Sequence, residues 1–229
     1  KIGTIDFDGR TIRVLICKGA EVLHWASTSV SGDLMNQGLI GKPEGMAEQI
    51  TGLLGSDGVP KRSFVTSLTA HRATSKVLTL PKVKSRFLEE AVRRKAKQEM
   101  PLPMQETYLS WQVISSQDSQ LQVYAFAVPR NIIDRQVETL KAASLKPRAM
   151  DLKPLALARA VNDPNCIVVN LEDQGLGVVL VANGTPEIIR SVPQTAEDAG
   201  PKERVEKLSQ ELNRTIQFYE EAHRGSPLP

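Results

Sequence analysis

Residues 2–30 read IGTIDFDGRTIRVLICKGAEVLHWASTSV, and residues 166–192 return a degraded copy of that pattern, CIVVNLEDQGLGVVLVANGTPEIIRSV. In the first copy a short apolar strand ends in Asp6-Phe7-Asp8-Gly9, a second strand covers 11–17, Lys18-Gly19 turns the chain and 21–27 returns. In the second copy 167–171 carries Asn170 and leads to Glu172, 177–182 follows, Asn183-Gly184 turns and 187–192 returns. Asn-Gly between apolar runs is a strong hairpin signal, because both residues accept positive φ and so match the strand twist. Thirteen residues separate Asp6 from Gly19, and fourteen separate Asn170 from Gly184. This spacing predicts a duplicated three-stranded meander, each copy followed by helices, in a chain of two related halves.

Composition narrows the classes. A chain of 229 residues with 41% hydrophobic content buries a sizeable core, as one large domain or two lobes. A net charge of +3 and 4% aromatics give neither the basic field nor the stacking surface of a nucleic-acid binder, so no nucleic acid is expected. Cys17 and Cys166 sit in apolar strands without CxxC spacing, which predicts buried free thiols in a reducing cytoplasm. No apolar run reaches the roughly 20 residues that span a bilayer, and a soluble chain without a signal peptide is expected.

Between the two meanders, the periodicity predicts a helix at 43–54, with Met46, Ile50, Leu53 and Leu54 on one face, then strands at 63–68 and 75–80. Residues 85–100, SRFLEEAVRRKAKQEM, form the clearest helix, with Ser85 as N-cap and Phe87, Leu88, Ala91 and Val92 as its packing face. Its acids precede its bases, as Glu89 to Arg93 and Glu90 to Arg94, the favourable direction for pairs four apart. Alternation at 108–115 and 121–128 predicts antiparallel strands against that helix. A helix capped by Asn131 buries Ile133, Val137 and Leu140; a strand at 145–151 feeds a helix at 154–161; and a last helix at 203–222 carries Val205, Leu208, Leu212, Ile216 and Tyr219. Residues 194–202 read as a polar connection and 225–229 as a frayed tail.

Meander, helix, insert and second meander make the layout of the actin-like ATPases. Within that superfamily, LTLPKVKSRFLEEAVRRKAKQEMPLP, YLSWQVI and VYAFAVPRNIIDRQVETLKAASLKPRAMDLKPLALARAV closely resemble the PilM family of type IV pilus assembly, over about 2–219 and most specifically over 78–161. The resemblance implies an α/β, actin-like fold, a ribonuclease-H-like duplicated βββαβα, with an inserted small α+β subdomain. It divides the chain into a first lobe at 1–80, the insert at 81–128, a return to the first lobe at 129–161 and a shortened second lobe at 162–229.

The departures from that family bear on chemistry. Nucleotide-binding members have a first phosphate loop resembling D-x-G-[ST], in which glycine lets the backbone approach phosphate oxygens. Here Asp8 stands at the glycine, within Asp6, Asp8, Gly9, Arg10 and Thr11; in the second loop Asn170 takes the acidic position and Glu172 the glycine. Two like charges about 4 Å apart repel by roughly 4 kcal/mol at an effective dielectric near 20, so the expectation is a degenerate nucleotide site with no catalytic residues and no cofactor. The adenosine-contacting strand-turn and a subdomain near 193–203 also lack counterparts here. Bound ATP with magnesium is the alternative. His24, His71 and His223 show no metal-ligand spacing, so no metal is expected.

The resemblance implies a scaffold that takes the N-terminal cytoplasmic peptide of a PilN-like inner-membrane pilus protein in a groove between the first lobe and the insert. The protein would be cytoplasmic, held at the inner membrane through that partner, with pilus assembly ATPases and a second copy as further partners. Candidate groove residues are Ile12 and Val14 on the second strand, Leu88 and Val92 on the helix, and Arg86 and Arg93 at the rim. A basic face on that helix is more often simply solvated, and buried apolar positions more often simply core. The alternatives are an active ATP-binding member and the cytoplasmic domain of a GspL-like type II secretion protein.

Overall fold

The structure is a computed structural model that describes residues 1–36, 39–55, 63–68, 73–100, 103–172, 175–193 and 200–223. The expectations for His71, for 194–199 of the polar connection and for the 225–229 tail lie outside the described residues. The chain divides into two units, Lys1–His71 with Asp134–Pro229, and Arg72–Ile133.

In chain order the elements are β1 (Ile2–Asp8), β2 (Thr11–Lys18), β3 (Glu21–Ser29), the short pair β4 (Met35–Asn36) and β5 (Leu39–Ile40), α1 (Pro43–Leu54) and β6 (Phe64–Leu68). The second unit then contributes β7 (Thr74–Pro81), α2 (Ser85–Glu99), a single 3-10 turn at Met104–Glu106, β8 (Thr107–Gln117) and β9 (Gln120–Pro129). After it come α3 (Arg130–Ala142), β10 (Pro147–Leu152), α4 (Lys153–Val161), β11 (Cys166–Glu172), β12 (Gly175–Ala182), β13 (Thr185–Pro193) and α5 (Pro201–Ala222).

The first unit is built on a five-stranded sheet in the order β10-β6-β1-β2-β3. β6 runs parallel to both β1 and β10, while β1, β2 and β3 form the antiparallel meander. Period-two patterning places Ile5, Phe7, Ile12, Val14 and Ile16 on one face, in a core with Met46 and Ile50 of α1, Phe64 of β6 and Leu140 of α3. The same alternation turns Asp6, Asp8 and Arg13 to the opposite face. α1 spans the predicted residues, with Pro43 in its first turn and Gly55 after its end at φ 65°, a left-handed value glycine adopts without strain.

The second meander repeats the first in register. Ile2↔Cys17 through Asp8↔Thr11 in the first hairpin become Cys166↔Val181 through Glu172↔Gly175 in the second, each position 164 residues after its counterpart. Even the bulge recurs, between Ile16 and Cys17 in β2 and between Leu180 and Val181 in β12. Matching Gly19 to Gly184 was off by one residue: the register pairs Gly19, φ 62°, with Asn183, φ 50°. The second sheet holds three strands, β11-β12-β13, among the described residues.

Several sequence expectations change. β7 pairs with β9 along its whole length, so the second unit begins before Pro81 and takes in the strand assigned to the first lobe. α4 packs on β11, β12 and β13 as well as on β10, which places 153–161 against the second meander rather than wholly in the first lobe. α3 buries Gln136, Thr139 and Leu140, with Ile133 and Val137 only half-buried, because Gln136 Nε2 donates to Thr66 Oγ1 at 3.1 Å and to Ser67 O at 2.9 Å. α5 buries Glu211, Thr215 and Tyr219, and Val205 is exposed; Arg190 and Arg214 compensate the Glu211 carboxylate. Both cysteines are half-buried free thiols.

In the second unit, α2 packs on one face of the β7-β9-β8 sheet, burying Val92 and Ala96, and Met100 just after the helix, with Leu78, Leu80, Val123 and Ala125, and with Leu88 partly buried against them. Phe87 is not part of that face: it is 46% exposed, with the Arg86 guanidinium 4.6 Å above its ring. Ser85 is the first helical residue rather than the cap, which is Lys84. Val92→Ala is expected to cost about 2 kcal/mol through two buried methylene equivalents and the cavity they leave. Phe87→Ala should cost about 0.5 kcal/mol or less, as exposed substitutions do. Urea unfolding of the two variants measures the contrast.

Candidate functional site

Both halves of the duplication end their first strand in a carboxylate pair or its remnant, and the fold brings these ends together. On β1, Asp6 lies directly opposite Arg13 of β2, and Asp8 lies two residues on along the same face. One guanidinium nitrogen, Arg13 Nη1, bonds Asp6 Oδ2 at 3.2 Å and Asp8 Oδ2 at 2.7 Å. From β6, Ser67 Oγ donates to Asp6 Oδ1 at 2.5 Å. On β11, Asn170 Nδ2 donates to Glu172 Oε1 at 2.6 Å.

Lys153 joins the two sets. Its Nζ lies 3.0 Å from Asp6 Oδ1 and 3.1 Å from Glu172 Oε1, and its side chain is only 10% exposed. Among the described residues it is the one side chain ion-paired to both meanders. Burial by itself would lower the Lys153 ammonium, but Asp6 and Glu172 beside it hold it above its usual range. Burial pushes the Glu172 carboxyl up, against the pull of Lys153. Burial likewise works against the Arg13 charge, and the bond and charge of Asp8 overcome it, leaving Arg13 raised.

Sequence reasoning singled out Asp6, Asp8, Asn170 and Glu172 and missed Lys153, Arg13 and Ser67. The signal for Lys153 was present. A cation at the first position of a helix opposes the macrodipole, so a lysine immediately before Pro154 at a helix start implies nearby carboxylates. Gly9 is buried at φ 58° and makes the tight turn between β1 and β2; Arg10 is exposed and Thr11 half-buried.

Three carboxylates stand at the two loops that the family resemblance assigns to phosphate, and the cations beside them, Arg13 and Lys153, are already paired with them. Asp8 Oδ1 is buried without a hydrogen-bond partner. Among the described residues no group of three or more His, Cys, Asp or Glu is placed to hold a metal.

The residues assigned to a partner groove fare unevenly. Ile12 and Val14 are 0% and 2% exposed in the core of the first unit and Val92 is 0% exposed in that of the second, so these three are structural rather than surface groups. Leu88 is half-buried. Arg86 and Arg93 are exposed, the latter 3.0 Å from Glu89. His24 Nε2 lies 2.7 Å from Leu53 O, and the His223 ring stacks on Tyr219 at 4.2 Å.

No helix among the described residues is long and apolar enough to cross a membrane. No curated protein matches the sequence closely enough to count as a relative. Among solved structures, the chain is similar to a PilM-PilN type IV pilus biogenesis complex, at a TM-score of 0.81 and 22% identity over 99% of this chain and 79% of the other. It is similar at 0.58 and 17% identity to the cytoplasmic domain of EpsL, an inner membrane component of the type II secretion system of Vibrio cholerae, over 86% and 72% of the two chains. A Bacteroides thetaiotaomicron protein with an actin-like ATPase fold and unknown function matches at 0.50 and 10% identity, over 93% and 76%. These likenesses bear out the actin-like α/β fold. The family model for type IV pilus assembly protein PilM matches residues 6–198, most of the chain, and the protein therefore belongs to the PilM family.

Proposed function

We propose that this protein is a non-catalytic actin-like scaffold of type IV pilus assembly, which binds the N-terminal cytoplasmic peptide of a PilN-like inner-membrane protein without using nucleotide. It works in the cytoplasm, at the inner membrane through that partner. Family membership and the likeness to a PilM-PilN complex support the partner class. The likeness to EpsL is weaker, so the type II secretion alternative is less well supported.

The observation that carries the nucleotide-free reading is the pairing of Asp6, Asp8 and Glu172 with Arg13 and Lys153 inside the two phosphate loops. A phosphate entering there would meet the carboxylates and would have to break existing ion pairs to gain a cation. For the partner, the exposed side of α2 offers an apolar ring and charge together, as Arg86 over Phe87 with Arg93 one to two turns on. An acidic and apolar peptide segment matches that chemistry.

Titrating the chain with the N-terminal peptide of the membrane protein encoded beside it tests the reading. Saturable binding is expected, weakened by Arg86→Glu and Arg93→Glu while the circular dichroism spectrum is unchanged. Absence of saturable binding to the folded wild type means that the partner assignment is wrong; affinity indifferent to both reversals removes α2 from the interface.

A further inference from the structure

The two duplicated hairpins are separate in sequence, and each carries acid at its loop end. Left alone, Asp6 and Asp8 on one side and Glu172 on the other would repel across the gap between the meanders. In a phosphate-binding relative, a ligand touching both loops would supply the link. Here the Lys153 ammonium stands 3.0 Å from the first carboxylate and 3.1 Å from the second, supplied by the first turn of a helix that packs on both sheets. Its position is rigidly specified. β10 runs into α4 without an intervening loop, Pro154 fixes the start of the helix, and β10 is held parallel to β6, whose Ser67 bonds the same Asp6 oxygen. Asn170 holds the Glu172 oxygen that faces the ammonium.

We propose that Lys153 is a built-in clamp between the two meanders, taking the place of a cation-bearing ligand and holding the first unit in one arrangement whether or not nucleotide is present. The inference rests on the nucleotide-free reading above, and it assigns Lys153 as a positioning residue rather than a ligand contact. Because the clamp joins the meanders through both its bonds, losing either bond should release both hairpins together. A lysine with only a local structural role would loosen the start of α4 and leave the distant hairpin unchanged.

Hydrogen exchange of the full chain, read by mass spectrometry without peptide or nucleotide, distinguishes these. In Lys153→Met, exchange over Ile2–Lys18 and over Cys166–Ala182 is expected to quicken by about tenfold or more, with β7, β8 and β9 unchanged. Glu172→Gln, which keeps the size of the side chain, should give the same pattern more weakly, and the double variant should add little to Lys153→Met, as coupled partners do. Lys153→Arg should restore slow exchange. If Lys153→Met does not fold, Glu172→Gln alone decides, and slow exchange in both hairpins of that variant overturns the clamp. Faster exchange confined to 153–161 in either variant also overturns it. Failure of the wild-type chain to bind the partner peptide would count against the scaffold reading and leave this exchange pattern standing.

Discussion

Replacing Phe64 with alanine is expected to destabilise the protein by about 3–5 kcal/mol, the range for emptying a fully buried aromatic site. Phe64 is 0% exposed and opens β6, the strand between β1 and β10. Its ring lies where a side chain on Gly3 would project, and the two residues are partners in the parallel β1–β6 register. The missing Cβ of Gly3 is therefore part of the packing. Gly3 cannot enlarge without meeting the Phe64 ring, and Phe64 cannot shrink without leaving a void at the junction of the parallel and antiparallel strands. A midpoint shift in urea with an unchanged slope measures the loss. A loss below about 1 kcal/mol would show that the ring does not fill that junction.

Lys153→Met should cost about 3 kcal/mol at neutral pH, at the low end for breaking a buried ion pair because Asp6 and Glu172 keep side-chain exposures of 31% and 18%. The sign of its pH dependence follows from the two groups. Lys153 is raised in the folded protein, so its contribution is complete below the ordinary lysine value of 10.5 and is lost as pH climbs through the raised one. Glu172 is raised by burial and pulled down by Lys153; without the lysine it rises further, and the variant regains stability as pH falls and that carboxyl takes up a proton. The deficit of the variant is thus largest near neutrality and narrows toward both acid and strong alkali. A deficit that widens in acid would place the compensating charge elsewhere.

The hairpins were legible because strand alternation and turn chemistry are local, and the same locality located Asp6, Asp8, Asn170 and Glu172 at the strand ends. What joins them was not legible in the same way. Arg13 reads as one more polar position in an alternating strand, and Ser67 as a small residue in a short one; only the pairing of β1 with β2 and with β6 gives them a common carboxylate, Asp6, to bond. The alternation of β7 says that it is a strand and nothing about which edge it joins, so only its pairing with β9 places it in the second unit. On α2 the predicted apolar stripe is too wide: Phe87 and Ala91 satisfy the helical period but lie outside the core that takes in Leu88, Val92 and Ala96, and Arg86 covers the Phe87 ring instead. On α5 the buried line runs through Glu211, Thr215 and Tyr219, because Arg190 on β13 makes burial of a carboxylate tolerable. That compensation has no sequence signature within the helix.

The proposed partner binding does not depend on nucleotide. Its most direct test is calorimetric titration of the wild-type chain with the partner's N-terminal peptide, in the absence of nucleotide and again with ATP and magnesium in excess. The same dissociation constant is expected in both titrations, with no ATP binding tighter than about millimolar, roughly −4 kcal/mol. A micromolar affinity for ATP, or a peptide affinity that moves about tenfold when nucleotide is added, would contradict it.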